Sequence, residues 1–298
     1  MKIYYGVSGN SIDVTETCFI KLMNNNIITI PAGDSNRAKY FTDPLYGILK
    51  KIIISHNDVL TEYDHFTLLK INIINNTINT INENNINDKL KYIHSKLNIK
   101  YGSFYSELPE QKMAVRYLSG NEKILEIGGN IGRNSLVLAS ILKDNTNLVT
   151  LESDANIANQ LQENRDLNKF NFHIEKSALS NRKIIQQEWN TIPSDILKPG
   201  YNWVNTITLS ELKTKYNIEF DTLILDCEGA FYYILMDMPE ILNNINLIIM
   251  ENDYRYITHK NYINEILIQN KFYVDYVECG GWKPCYDNFY EVWKKSTS

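Results

Sequence analysis

Over its first part the chain alternates short apolar runs with turn residues. KIYYGV, NIITIPAGD and GILKKIIIS are rich in Ile, Val, Thr and Tyr and are bounded by Gly, Asn, Asp and Pro. Such patterning predicts short strands in a small β-rich unit. Lys50 and Lys51, at the head of an Ile run, are expected to guard an exposed sheet edge against wrong pairing. The Asn-rich stretch Asn72–Asn87 predicts a linker with at most one strand at its start. The chain therefore divides into residues 1–85, an accessory unit for binding or oligomerisation, and residues 86–298.

Beyond Asp88 the period lengthens. Helices are predicted at Asp88–Leu97 and Glu107–Leu118, the second with Pro109 in its first turn and Met113, Ala114, Tyr117 and Leu118 at helical spacing. Strands and helices then alternate: strand Lys123–Ile127, helix Arg133–Leu142, strand Leu148–Glu152, helix Ala155–Asn168, strand Phe172–Ser177. An irregular stretch follows, ending where Thr208 and Glu211 have the spacing of a capping box. Strand Asp221–Asp226, helix Ala230–Met238, strand Leu247–Met250 and helix Tyr262–Gln269 come next, before an antiparallel pair at Phe272–Glu278 and Asn288–Trp293. This order predicts an α/β fold with a mostly parallel, doubly wound sheet and right-handed crossovers.

Composition narrows the picture further. The formal charge is −5, no basic run occurs, and nucleic acid is not the expected partner. No apolar run approaches the roughly 20 residues of a membrane span, and the first residues do not read as a secretory signal. The reading is a cytoplasmic protein with no membrane contact. Cys18, Cys227, Cys279 and Cys285 are scattered without metal-site spacing and read as free thiols. Abundant Asn and Ile indicate AT-rich coding, of the kind common in large DNA viruses and some parasites.

The chemistry concentrates at the strand ends. Glu126 closes one strand, and Gly128, Asn130 and Gly132 form a turn that opens a helix. Glycines let backbone approach a ligand, and the helix N-terminus offers free N–H groups to a carboxylate. Asn130 and Arg133 stand where a dinucleotide fingerprint needs glycines, which disfavours NAD. Glu152 ends the next strand, placed as a carboxylate that grips a ribose diol. Ser177 and Ala178 end the third strand, where an adenine edge would lie. Together these predict a site for adenosine joined to a methionine-like zwitterion, that is, S-adenosylmethionine.

These motifs resemble those of FkbM-type methyltransferases. The matching segments are Glu126 to Gly132, Asp226-Cys227-Glu228-Gly229-Ala230, Glu152 with the helix carrying Leu161 and Asn164, and Thr208 to Leu212. The resemblance covers roughly residues 104–294. It implies a Rossmann-like class I methyltransferase fold and methyl transfer from S-adenosylmethionine to oxygen, often on sugars or glycan-like metabolites. Ile224 stands where the family usually has Lys, and Phe231 where it often has a second Glu, both on the acceptor side.

Asp226 should lie at the switch point of the sheet, near the sulfonium. Asp226, Glu251 and Asn252 look like the ligand triad of catechol-type O-methyltransferases, which predicts Mg2+ or Mn2+. The metal-free alternative makes Asp226 or Glu228 the general base, with His259 as a third candidate. Ser106 to Gln111 are read as a lid helix or a simple cap. Trp282 and Tyr286 are read as acceptor-stacking residues or a plain hairpin turn, and Trp189 and Trp203 as core or lid packing. The expected activity is O-methylation of a sugar or other small acceptor, by a chain that could form homo-oligomers. The rivals are a nucleic-acid methyltransferase and a non-catalytic binding module.

Overall fold

The computed structural model describes residues 1–296, which fall into two units, 1–89 and 90 onward.

The first unit holds two antiparallel four-stranded sheets. One is ordered Asn10–Asp13, Lys2–Val7, Lys51–His56, Val59–Tyr63; the other Met23–Asn24, Ile27–Ile30, Thr67–Asn72, Thr77–Asn82. Alternate residues such as Ile3, Tyr5, Ile52, Ile54, Leu69 and Ile71 form its core, with helices Thr15–Lys21 and Asp34–Phe41. The Asn richness serves the turns. Asn25-Asn26 and Asn57-Asp58 both take positive φ, as a two-residue hairpin loop requires. Asn72–Asn87 is no linker: it contains the strand Thr77–Asn82 and the start of a helix, Glu83–Lys96. The expected edge role of the lysines also fails. Strand Lys51–His56 is paired on both sides, and Lys50 is buried against Asp34 (2.9 Å) and Asp43 (2.7 Å).

The second unit is built on a seven-stranded sheet. Its strands are β1 (Ile124–Ile127), β2 (Leu148–Leu151), β3 (His173–Glu175), β4 (Thr222–Leu225), β5 (Leu247–Glu251), β6 (Phe272–Glu278) and β7 (Tyr290–Lys295). Their order is β3-β2-β1-β4-β5-β7-β6, with β7 antiparallel to both neighbours and the rest of the pairings parallel. The central strands are apolar on both faces because helices cover both. Leu125, Leu223 and Ile248 enter one core, and Ile124, Ile224 and Ile249 the other. The helices are α1 (Leu108–Tyr117), α2 (Arg133–Ile141), α3 (Ala155–Leu167), α4 (Leu209–Tyr216), α5 (Phe231–Asp237) and α6 (Ile257–Gln269). Thr208 and Glu211 cap α4 reciprocally, as their spacing predicts.

The stretch before Thr208 is more ordered than its sequence indicates. Strands Ile184–Gln187, Asn190–Pro193 and Asn202–Val204 form a separate antiparallel sheet between β3 and α4.

Candidate active site

The order of strands reverses between β1 and β4, which leaves a crevice above their carboxyl ends. A cavity of about 160 Å³ occupies it, walled by Gly128, Asn130, Glu152, Ser177, Ala178, Asp226 and Glu228 among others. These seven residues, all singled out in the sequence, thus meet in one place.

The glycine turn is dictated by close packing. Gly128 has φ +94°, and a Cβ there would lie 1.6 Å from the Asp226 carbonyl oxygen. Gly132 has φ +92° and heads α2, where a Cβ would lie 2.4 Å from Leu161 of α3. Gly132 is outside the cavity lining, so it serves helix packing in place of the expected ligand approach. Asn130 also has positive φ, and its N–H donates to Glu152 Oε2 at 2.9 Å. The Asp154 N–H donates to Glu152 Oε1 at 2.8 Å. Burial pushes the Glu152 carboxyl above its usual range, while these donors favour its ionised form. A carboxylate has about four acceptor positions, so capacity remains for a diol.

Glu126 is turned away from the cavity. It is fully buried and accepts from Ser135 Oγ (2.5 Å) and Asn134 Nδ2 (3.2 Å) at the start of α2. Burial pushes its carboxyl up to about 7. It therefore holds the first turn of α2 in place of contacting a ligand directly. Ser177 lines the cavity while its hydroxyl donates to Glu175 at 3.0 Å.

At the β4–β5 end, carboxylate oxygens of Glu110, Asp226 and Glu251 lie within 4.8 Å of one another. Glu110 comes from α1, whose start is set by Pro109. It is 7% exposed, and its Oε2 has no hydrogen-bond partner among the described residues. Burial, the Asp226 charge and a hydrogen bond with Glu110 push Glu251 up to about 11. Burial and then the charges of Glu107, Glu110 and Glu228 hold Asp226 well above the carboxylate range. Three acids this close either keep protons or share a cation.

Asn252, the third expected ligand, is fastened through its nitrogens, while its Oδ1 has no hydrogen-bond partner among the described residues. It is fully buried, its Nδ2 donates to the Asn288 carbonyl at 2.6 Å, and its backbone N–H donates to the Phe289 carbonyl at 2.7 Å. These bonds fasten the end of β5 to the β6–β7 connection. Glu110 supplies the third acid of the cluster. Its signal was present in the sequence, because Glu110 falls on the same helical stripe as Met113, Ala114 and Tyr117.

Glu228 sits at the cavity mouth with φ 51°, and burial together with the neighbouring Asp253 carboxyl pushes it up to about 8. His259 is not brought to the cavity; its ring lies flat on Tyr232, centroids 3.8 Å apart. Trp282 and Tyr286 are also outside the lining and partly exposed. Trp189 lines the cavity and is half-exposed, and Trp203 lies on the same small sheet outside the lining. Neither is core packing. The Ser106–Gln111 segment does more than cap a helix, since it delivers Glu110 and pairs Glu107 with Arg133 at 2.6 Å.

No protein-family model matches the sequence and no curated protein does, so the FkbM-type resemblance rests on its motifs alone. Some solved structures are weakly similar. An O-methyltransferase from Bacillus cereus in complex with SAH is 16% identical, with 72% of this chain and 92% of that one covered and a TM-score of 0.42. A ribosomal protein L11 methylase from Lactobacillus delbrueckii subsp. bulgaricus is 12% identical, with 66% and 82% covered and a TM-score of 0.41. Magnesium protoporphyrin IX methyltransferase from Synechocystis PCC 6803, with bound SAM, is 10% identical, with 72% and 79% covered and a TM-score of 0.39. Likeness of this degree carries no chemistry across. The strand order itself, with β7 inserted antiparallel between β5 and β6, is that of the Rossmann-like methyltransferase fold.

Proposed function

We propose that the chain is an S-adenosylmethionine-dependent O-methyltransferase acting on a neutral hydroxyl compound such as a sugar or glycan intermediate. The observation that carries this reading is the meeting of Glu152, the Gly128–Asn130 turn and Asp226 around one cavity at the switch point of the sheet. Glu152 accepts from the ribose diol, backbone at Gly128 and Asn130 receives the methionine end, and Ser177 and Ala178 border the base. Bound there, S-adenosylmethionine supplies an activated methyl on a sulfonium.

The chain's own task is to align the acceptor oxygen and remove its proton. As the oxygen–methyl bond forms and the sulfur–methyl bond breaks, the hydroxyl proton passes to a carboxylate. Glu228 suits that step, since it lines the cavity and its raised affinity for protons matches neutral conditions. Glu110, Asp226 and Glu251 have the hard oxygen donors that suit Mg2+ or Mn2+, and the partnerless Glu110 Oε2 fits that role. Such an ion would lower the pKa of an acceptor hydroxyl.

The test is transfer of labelled methyl from S-adenosylmethionine to neutral oligosaccharides, with added Mg2+ or excess chelator. Transfer that needs Mg2+ and is lost in Asp226→Ala, with S-adenosylhomocysteine affinity kept, is the expected result. Full turnover in chelator would remove the ion from the mechanism. Transfer to RNA or DNA alone would overturn the acceptor class.

A further inference from the structure

The small sheet spanning 184–204 lies in the chain between β3 and α4, and it contributes Gln186, Trp189, Thr191 and Pro193 to the cavity wall. It is fastened on two sides. Ser153, next to Glu152, donates through Oγ to Gln186 Oε1 at 2.9 Å. Opposite, Arg182 pairs with Asp237 at the end of α5, and Asn181 Nδ2 donates to the Asp237 carbonyl at 3.3 Å. Both anchoring elements, the β2 end and α5, also line the cavity.

Trp189 stands at the tip of this sheet, in the two-residue turn between strands Ile184–Gln187 and Asn190–Pro193. Glu188 takes φ 50° there, and Gln186 Nε2 donates to its carbonyl at 2.9 Å. One side chain, Gln186, therefore holds both the tip and the rim beside Glu152. The indole it presents is 52% exposed while lining the cavity, and no aromatic ring of the described residues stacks on it. A large apolar face left open at a pocket wall is a surface for a flat ligand.

We propose that this inserted sheet is a base clamp, in which Trp189 stacks on the purine of the bound nucleoside. The proposal rests on the adenosyl-cofactor reading and deepens it. If Glu152 holds the ribose diol, the base is one bond from that ribose and must lie along the rim that Ser153 and Gln186 pin to the tip. Stacking on an indole is worth most where the ring is already positioned, and the Gln186 bonds position it.

Titration of S-adenosylhomocysteine, followed by calorimetry and tryptophan emission, tests the clamp. Wild type is measured beside Trp189→Ala, Trp189→Phe and Trp203→Ala; Trp203 lies on the same sheet but outside the lining. Trp189→Ala should weaken binding roughly tenfold or more, and Trp189→Phe should keep most of the affinity. Trp203→Ala should bind as wild type does. Emission should change on binding in wild type and Trp203→Ala, and stay flat in Trp189→Phe, which retains Trp203, Trp282 and Trp293. Wild-type affinity in Trp189→Ala would overturn the clamp alone. An equal loss in Trp203→Ala would assign the effect to the sheet's stability and also overturn it. No binding by wild type would overturn the cofactor reading and the clamp with it.

Discussion

The backbone N–H of Asn130 donates to Glu152 Oε2 at 2.9 Å, which locks the glycine turn after β1 to the acid that ends β2. The turn and the acid are therefore one unit, positioned before any ligand arrives. Glu152→Gln keeps the shape but places an N–H donor where only acceptors are wanted. Affinity for S-adenosylhomocysteine should fall roughly 30- to 100-fold by calorimetry, from the loss of charge-assisted hydrogen bonds of about 2–3 kcal/mol. Unchanged affinity would remove Glu152 from the ribose site.

Glu126 gives the structure a pH signature. Its carboxyl is raised from 4.5 to about 7, chiefly by burial, so the folded state holds a proton that the unfolded chain has lost. That contribution is full below pH 4.5, declines as pH rises, and is gone above about 7. Glu126→Gln should therefore flatten the fall in thermal stability across this window and leave the variant the more stable one at pH 8. The difference is on the order of 3 kcal/mol at most. A wild-type melting temperature that rises between pH 5 and 7 in step with Glu126 titration would contradict the assignment.

Gly128 has no tolerance for a side chain. An alanine there would combine φ +94° with a Cβ 1.6 Å from the Asp226 carbonyl oxygen. Gly128→Ala should cost more than about 3 kcal/mol in denaturant unfolding or prevent folding altogether. A variant as stable as wild type would mean that β1 and β4 separate freely at this point.

Much of this site was legible in the sequence, for a physical reason. Strands β1, β2 and β4 are buried at every position and mostly apolar, with Glu126, Glu152 and Asp226 at or just beyond their carboxyl ends. What sequence order does not carry is side-chain direction. Asn252 follows Glu251 directly and ties its Nδ2 to the β6–β7 connection, while Glu110, the acid that joins Asp226 and Glu251, arrives from a helix far away in the chain. Glu126 was expected at the ligand because it ends a strand, but it faces inward to Ser135. The Asn-rich strand Thr77–Asn82 and the sheet at 184–204 were hidden by polar alternation, since each is largely open on one side or both. Trp189 read as packing because Trp is most often buried on average.

Hydrogen–deuterium exchange with and without S-adenosylhomocysteine tests the adenosyl site most directly. Protection is predicted at residues 128–132, 152–154 and 177–180, with residues 1–82 unaffected. Unchanged exchange in those three segments at saturating ligand, or protection confined to the first unit, would contradict it.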